Sequence, residues 1–229
     1  MTINEIILLM KETGLTFPVI CKPDIACGTP TSHNMVVVVS PSGFTMVTQP
    51  CIVQQYIDHD DNFFKVYVIG NDIMYYQRPS TPNLTNSTAI SSSKLKSIFF
   101  DSRCMYPKLK DFMEIDNDNN SNNYDKVDYN EDDNSRDHDH NRGIPDPTQI
   151  AAAANALKAE FNLTLFGFDV IIPNNRHNID YNNDNCNDSS NDNVNELVII
   201  DVNFFPSYKE VADFPKRLKM FLKSKRACI

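Results

Sequence analysis

Three oxygen-bearing side chains, Asp169, Asp201 and Asn203, stand in stretches that otherwise read as apolar strands. Asp169 lies within LTLFGFDVII (Leu163–Ile172), between Phe168 and Val170, and Asp201 and Asn203 lie within ELVIIDVNF (Glu196–Phe204). Both stretches are rich in the β-branched and aromatic residues that suit a pleated surface. Side chains alternate faces along a strand, so Asp201 and Asn203 point one way and Ile200 and Val202 point into a core. If the two strands pair, three oxygen donors converge above an apolar layer. That donor set suits Mg²⁺, which bridges protein carboxylates to phosphates. Solvated strand ends would give the same pattern.

Elements elsewhere must position these residues. Thr2-x-x-Glu5 has capping-box spacing, with Ile6, Leu9 and Met10 on one helical face and Gly14 as the stop. Strands are expected at Phe17–Lys22, Met35–Val39, Cys51–Tyr56, Phe63–Ile69 and Ile73–Gln77, making one mostly antiparallel sheet of four or five strands. Pro23–Asn34 and Pro79–Ser93 read as loops. Ile150, Ala154, Leu157 and Phe161 recur at helical spacing, which predicts a helix over Pro147–Phe161. A last helix runs from about Asp213 to Arg226, with Pro215 in its first turn and a basic face of Lys216, Arg217, Lys219, Lys223, Lys225 and Arg226. That face is the usual solvated kind.

The chain of 229 residues carries a formal net charge of −9, unevenly spread. Glu114–Arg142 holds ten acids and three bases, and Pro173–Asn195 holds four acids and one base. Those stretches carry −7 and −3, so the remainder is about neutral and can accept an anionic ligand. Both are rich in Asn and Asp and poor in aliphatic residues. They cannot bury enough surface to offset their ordering entropy, so both are expected to be disordered inserts. Asp137-His138-Asp139-His140 reads as solvated low complexity rather than a metal site. No apolar run is long enough for a membrane helix, and the first residues lack the basic start of a secretory signal. Six cysteines without a CxxC pair point to reduced thiols and a cytosolic setting.

Lys22 at a strand end, Gln54-Gln55-Tyr56-Ile57, Lys65, and then Asp169, Asp201 and Asn203 look like the ordered ligands of an ATP-grasp nucleotide site. Six blocks narrow this: PVICKPDIACGTPTSHNM, CIVQQYIDHDDNFFKVYVIG, YYQRPS, SIFFDS, LFGFDVII and VIIDVNFFPSY. In this order they resemble the inositol 1,3,4-trisphosphate 5/6-kinase family, also called inositol-tetrakisphosphate 1-kinase. The resemblance runs from about Thr2 to Phe221, broken only by the two inserts.

The resemblance implies an α+β ATP-grasp fold with the nucleotide between two subdomains, here residues 1–78 and 79–229. It implies an ATP- and Mg²⁺-dependent kinase acting on inositol tris- or tetrakisphosphate. Phosphoryl transfer needs charge neutralisation and in-line positioning more than covalent help. By family position Lys22 holds the ATP phosphates, Gln54, Gln55, Tyr56 and Ile57 line the adenine, and Lys65, Ser80 and Ser102 contact the nucleotide. Asp169, Asp201 and Asn203 hold Mg²⁺. His33, Lys65 and Asn203 meet the inositol phosphate, and Lys65 and Arg78 are the candidate catalytic residues beside the transferring phosphate. ATP and an inositol polyphosphate are the expected partners, with no nucleic acid and no membrane, for a cytoplasmic monomer.

The chain departs from the family at Asp24 and Cys27, and at Ser207, where a small glycine is commoner after Phe-Pro. The family also has an N-terminal lobe bearing two lysines for the inositol phosphate and an arginine for ATP. This sequence starts where the central lobe begins, so that lobe is expected to be missing, and the chain is expected to bind Mg–ATP but to phosphorylate inositol trisphosphate poorly or not at all unaided. Two other functions fit part of the pattern: a nucleotide-binding module without catalysis, and an ATP-grasp carboxylate–amine ligase, which the QRPS and GTPTSH blocks disfavour.

Overall fold

The computed structural model describes residues 2–25, 28–85, 95–113, 143–174 and 196–226. The expected insert 114–142, the segment 175–195 and the Asp137–His140 run lie outside them. So do Cys27, Cys186 and Cys228. The chain opens on helix α1 (Ile3–Glu12), started by the expected capping box. Glu5 N donates to Thr2 Oγ1 at 3.3 Å, and Thr2 N donates to Glu5 Oε2 at 2.6 Å. Gly14 ends the helix at φ +74°, a left-handed conformation that glycine adopts without the backbone strain a side chain would bring.

Among the described residues eight strands then form two four-stranded sheets, all pairs antiparallel. The first contains β1 (Val19–Pro23), β2 (Asn34–Val38), β3 (Cys51–Gln55) and β6 (Ile98–Asp101), in the order β3-β1-β2-β6. The second contains β4 (Asn62–Ile69), β5 (Asp72–Pro79), β7 (Leu165–Ile171) and β8 (Val198–Asn203), in the order β5-β4-β7-β8. The single sheet expected over residues 17–77 is therefore two. Alternation marks a strand but not its partner, and β4 and β5 pair with each other and with β7. The sheets also trade strands across residue 78, since β6 returns to the first.

Helix α1 covers one face of the first sheet, where Ile6 and Met10 pack on Val19, Cys21, Val36, Val38 and Phe44, the last from a 3-10 turn at Pro41–Met46. The other face buries Val37, Tyr56, Leu84, Phe100 and Phe112, the last from the short helix α2 (Leu109–Phe112). Helix α3 (Pro147–Phe161) has the expected bounds and sets Ile150 and Ala154 against Phe64, Val66, Val68, Phe166, Phe168 and Val170 of the second sheet. On that sheet's opposite face Tyr67 and Ile69 meet Tyr208 and Val211, with Phe214 and Phe221 of helix α4 (Phe214–Arg226) packed beside them. Gly167 is required there: a Cβ would lie 2.8 Å from Pro206 Cγ and 2.9 Å from the Val66 carbonyl oxygen. Among the described cysteines Cys21, Cys51 and Cys104 are free thiols, and no described helix is long and apolar enough to cross a membrane.

Candidate active site

The face of the second sheet turned away from α3 carries the charges. Strand register sets Lys65 of β4 opposite Asp169 of β7, and Asp169 opposite Asp201 of β8. Gly167 pairs with Asn203 in the next row. The pairing expected of the two acidic strands is therefore present, and Lys65 joins their row. Its Nζ lies 3.0 and 3.2 Å from the two carboxylate oxygens of Asp169. Asn203 Nδ2 donates to Asp201 Oδ2 at 2.7 Å.

A β-bulge after Asp169 leaves Ile200 without a Cα partner, since Val170 pairs with Ile199. A bulge re-aims backbone groups locally. Here the Ile200 carbonyl accepts a hydrogen bond of 3.1 Å from Lys22 Nζ, which reaches over from β1 of the first sheet. The same irregularity corrects the expectation that Ile200 and Val202 share a core. Both are half-buried on the edge strand β8; Val202 packs on the α3 layer, and Ile200 is not part of that cluster.

Electrostatics tie these groups together. Burial pushes the Asp169 carboxyl above its ordinary range; Lys65 and Lys22 pull it back, while Asp201 repels it. Burial likewise lowers the Lys22 ammonium, against the pull of Asp201 and Asp169. Burial raises the Tyr106 phenol, and the charge on Asp169 adds to this. Two cations thus enter a partly dry cleft holding two carboxylates, and an added anion would be attracted to them.

The other expected site residues fall into three groups. His33 and Ser102 sit at the end of the first sheet that carries Lys22, and alternation puts all three on the face toward the second sheet. Ser102 N donates to the His33 carbonyl at 3.0 Å, and Ser102 Oγ lies 3.4 Å from His33 Nδ1. Arg78 of β5 is paired with Phe63, diagonal to Lys65 on the polar face, and forms an ion pair with Glu210. Glu210 also accepts from the Tyr67 hydroxyl. At the end of β3, the Gln55 amide is bound to backbone groups of Thr16, Pro18 and Tyr56, and the buried Tyr56 donates its hydroxyl to the Pro82 carbonyl. Their side chains are thus committed to the fold, which leaves the backbone to read a ligand. Gln54 lies on the Lys22 face of β3, opposite Ile20. Ser80 Oγ is 2.7 Å from His59 Nε2.

Sequence reasoning missed Glu210, Tyr67, Tyr106 and His59. Only Tyr67 had a signal, since it stands two residues from Lys65 on an alternating strand. The rest come from connections without periodicity. Cavities also lie elsewhere: one of about 300 Å³ lies between the β4–β5 turn and α4, lined by Arg217, Phe221 and Lys158 among others. None of the expected site residues lines it. No group of three or more His, Cys, Asp or Glu side chains that could hold a metal occurs among the described residues. Two carboxylates and the amide oxygen of Asn203 remain. As hard oxygen donors they fit Mg²⁺, which rarely takes an all-protein cage and completes its shell with phosphate oxygens and water.

A model of the inositol 1,3,4-trisphosphate 5/6-kinase ATP-grasp domain matches residues 2–224. Similar relatives include inositol-tetrakisphosphate 1-kinase 6 of Oryza sativa subsp. indica, 32% identical over 212 residues, covering 92% of this chain and 31% of the relative. The inositol-tetrakisphosphate 1-kinase of Xenopus laevis is 26% identical over 215 residues, 92% of this chain and 43% of the relative. Inositol-tetrakisphosphate 1-kinase 1 of Arabidopsis thaliana is 28% identical over 207 residues, 90% and 54% respectively. The chain thus spans about a third to a half of the length of these curated relatives.

Proposed function

The chain belongs to the inositol 1,3,4-trisphosphate 5/6-kinase ATP-grasp family, and from that premise we propose that it transfers the γ-phosphate of ATP to a hydroxyl of an inositol tris- or tetrakisphosphate. The observation that carries this reading is the row Lys65–Asp169–Asp201, met by Lys22 from the other sheet. Cations from one side and carboxylates from the other are what a metal-bound polyphosphate requires.

In this reading Lys22 leaves the Ile200 carbonyl to bind the ATP phosphates as a mobile point charge. The backbone of Gln54–Ile57 lines the adenine, and Ser80 and Ser102 flank the nucleotide. Asp169, Asp201 and Asn203 hold Mg²⁺, which supplies charge neutralisation to the phosphoryl group in flight. Lys65 orients Asp169 and contacts both phosphate substrates. Arg78 offers a guanidinium to the transferring group, and His33 and Asn203 contact the inositol phosphate. The partners are ATP and an inositol polyphosphate, acting on a cytoplasmic monomer with no nucleic-acid or membrane partner. The nucleotide lies between the two sheets, which the chain links through the crossover at Tyr56–Asp61.

The test is transfer of labelled phosphate from ATP to inositol 1,3,4-trisphosphate and inositol 3,4,5,6-tetrakisphosphate. The expected result is labelled product from one or both, abolished in Lys65→Met. Turnover with amino-acid or peptide carboxylates and none with inositol phosphates would establish a ligase instead.

A further inference from the structure

The crossover between the sheets, Tyr56–Asp61, is held more tightly than a connecting loop requires. Asp58 and His59 are only 5% and 8% exposed. The Asp58 carboxylate accepts from Leu84 N at 2.7 Å, Thr85 N at 2.9 Å and Thr85 Oγ1 at 2.6 Å. Asn83 Oδ1 accepts from His59 N and Asp60 N, both at 2.9 Å, and Asn83 Nδ2 donates to Asp60 Oδ1 at 2.7 Å. That carboxylate oxygen also accepts from Asn174 Nδ2 at 2.7 Å, beyond β7. Asp60 and Asp61 sit at φ +53° and +59°, where residues with a Cβ are uncommon and persist only when their surroundings hold them.

At the centre His59 uses both ring nitrogens. Nδ1 lies 2.6 Å from the Ile57 carbonyl oxygen and Nε2 lies 2.7 Å from Ser80 Oγ. A carbonyl only accepts, so Nδ1 carries the proton. In the neutral ring Nε2 then accepts from the Ser80 hydroxyl. Burial favours that neutral ring, against the charges of Asp61, Asp58 and Asp60 and the bond to Ile57. The ring therefore fixes the direction of the Ile57 carbonyl. Were the Ile57–Asp58 peptide to flip, its C=O and N–H would exchange directions, and the donor–acceptor pattern at the end of β3 would invert. Adenine and guanine differ by such an inversion at their paired edges.

We propose that His59 is a positioning residue that, by locking the Ile57 carbonyl and the Ser80 hydroxyl, sets the purine selectivity of the backbone at Gln54–Ile57. This role rests on the nucleotide site proposed above. The test compares ATP and GTP affinity by calorimetry in wild type, His59→Asn and His59→Gln. An Asn amide nitrogen can stand in for Nδ1 and keep the Ile57 bond; a Gln amide reaches only the Nε2 position. Wild type and His59→Asn are expected to prefer ATP over GTP by at least about tenfold, and His59→Gln to lose most of that ratio. The KM for inositol phosphate stays unchanged in all three. Amide exchange at Ile57–His59 should be faster in His59→Gln than in His59→Asn, a readout independent of ligand. An unchanged ATP/GTP ratio in folded His59→Gln, or equal behaviour of the two variants, would overturn this role alone. A wild-type chain that binds neither nucleotide would overturn the functional reading and this role together.

Discussion

The two faces of the second sheet come from the same strands and serve opposite ends. Toward α3 the strands bury Phe64, Val66, Val68, Phe166, Phe168 and Val170, all between 0 and 3% exposed. On the other face the same strands carry Lys65, Asp169 and Asp201 in one row. Strand alternation lets one backbone serve both, because adjacent residues answer to different surroundings. The apolar face gains stability from each buried group, at about 25 cal/mol per Å² removed from water. Burial of Asp169 works against its ionised form, so the polar face is held at a cost that the apolar face offsets.

Substitutions should separate the faces. The largest loss is expected from Phe166→Ala, which empties a fully buried site on the α3 layer and should destabilise by about 3–5 kcal/mol in urea unfolding. A loss below about 1 kcal/mol would show that this face is not the stabilising one. On the polar face, Lys65→Met removes the ammonium beside a largely buried carboxylate. It should cost about 1–3 kcal/mol, below the range for a fully buried pair because Lys65 is 24% exposed. Adding Asp169→Leu should return most of that stability while phosphate transfer stays absent. Recovery of both, or of neither, would contradict the division. Gly167→Ala, at the seam with Pro206, should cost about 1–2 kcal/mol through overpacking.

The smallest effect concerns pH. Burial holds His59 below its ordinary value of 6.5 in the folded chain. Between its folded and unfolded values the unfolded chain binds more protons, so the contribution of neutral His59 is intact above about pH 6.5 and lost as pH falls below it. The unfolding midpoint should drop more between pH 6.5 and about 5.5 in wild type than in His59→Asn. Parallel profiles would show that His59 is not held neutral.

Features set by local chemistry were legible in the sequence. Thr2 and Glu5 announce α1, the period of Ile150, Ala154 and Leu157 announces α3, and apolar runs broken by Asp169 and Asp201 announce β7 and β8. Beyond the pairing of β7 with β8, which strands share a sheet was not legible. Pairing depends on long-range fit, and the alternation of β4 suits either sheet. The four-residue β6 is too short to show a period. The bulge at Ile200 has no composition signal, yet it brings Lys22 over from the first sheet. For the site, the charged residues stood out against apolar strands, whereas His59 looked like part of an acidic connection. Its role depends on Ser80, which is 21 residues away.

The central claim is that the polar face is a metal-assisted nucleotide site, and Asp201 tests it most directly. Asp201 is exposed, so Asp201→Asn should leave the unfolding free energy within about 0.5 kcal/mol. Titration calorimetry with ATP in the presence and absence of Mg²⁺ should show a metal-dependent gain in the wild-type chain. In the variant that gain should fall at least about tenfold, equivalent to about 1.4 kcal/mol. An equal gain in folded wild type and variant would contradict the account and remove Asp201 from the site.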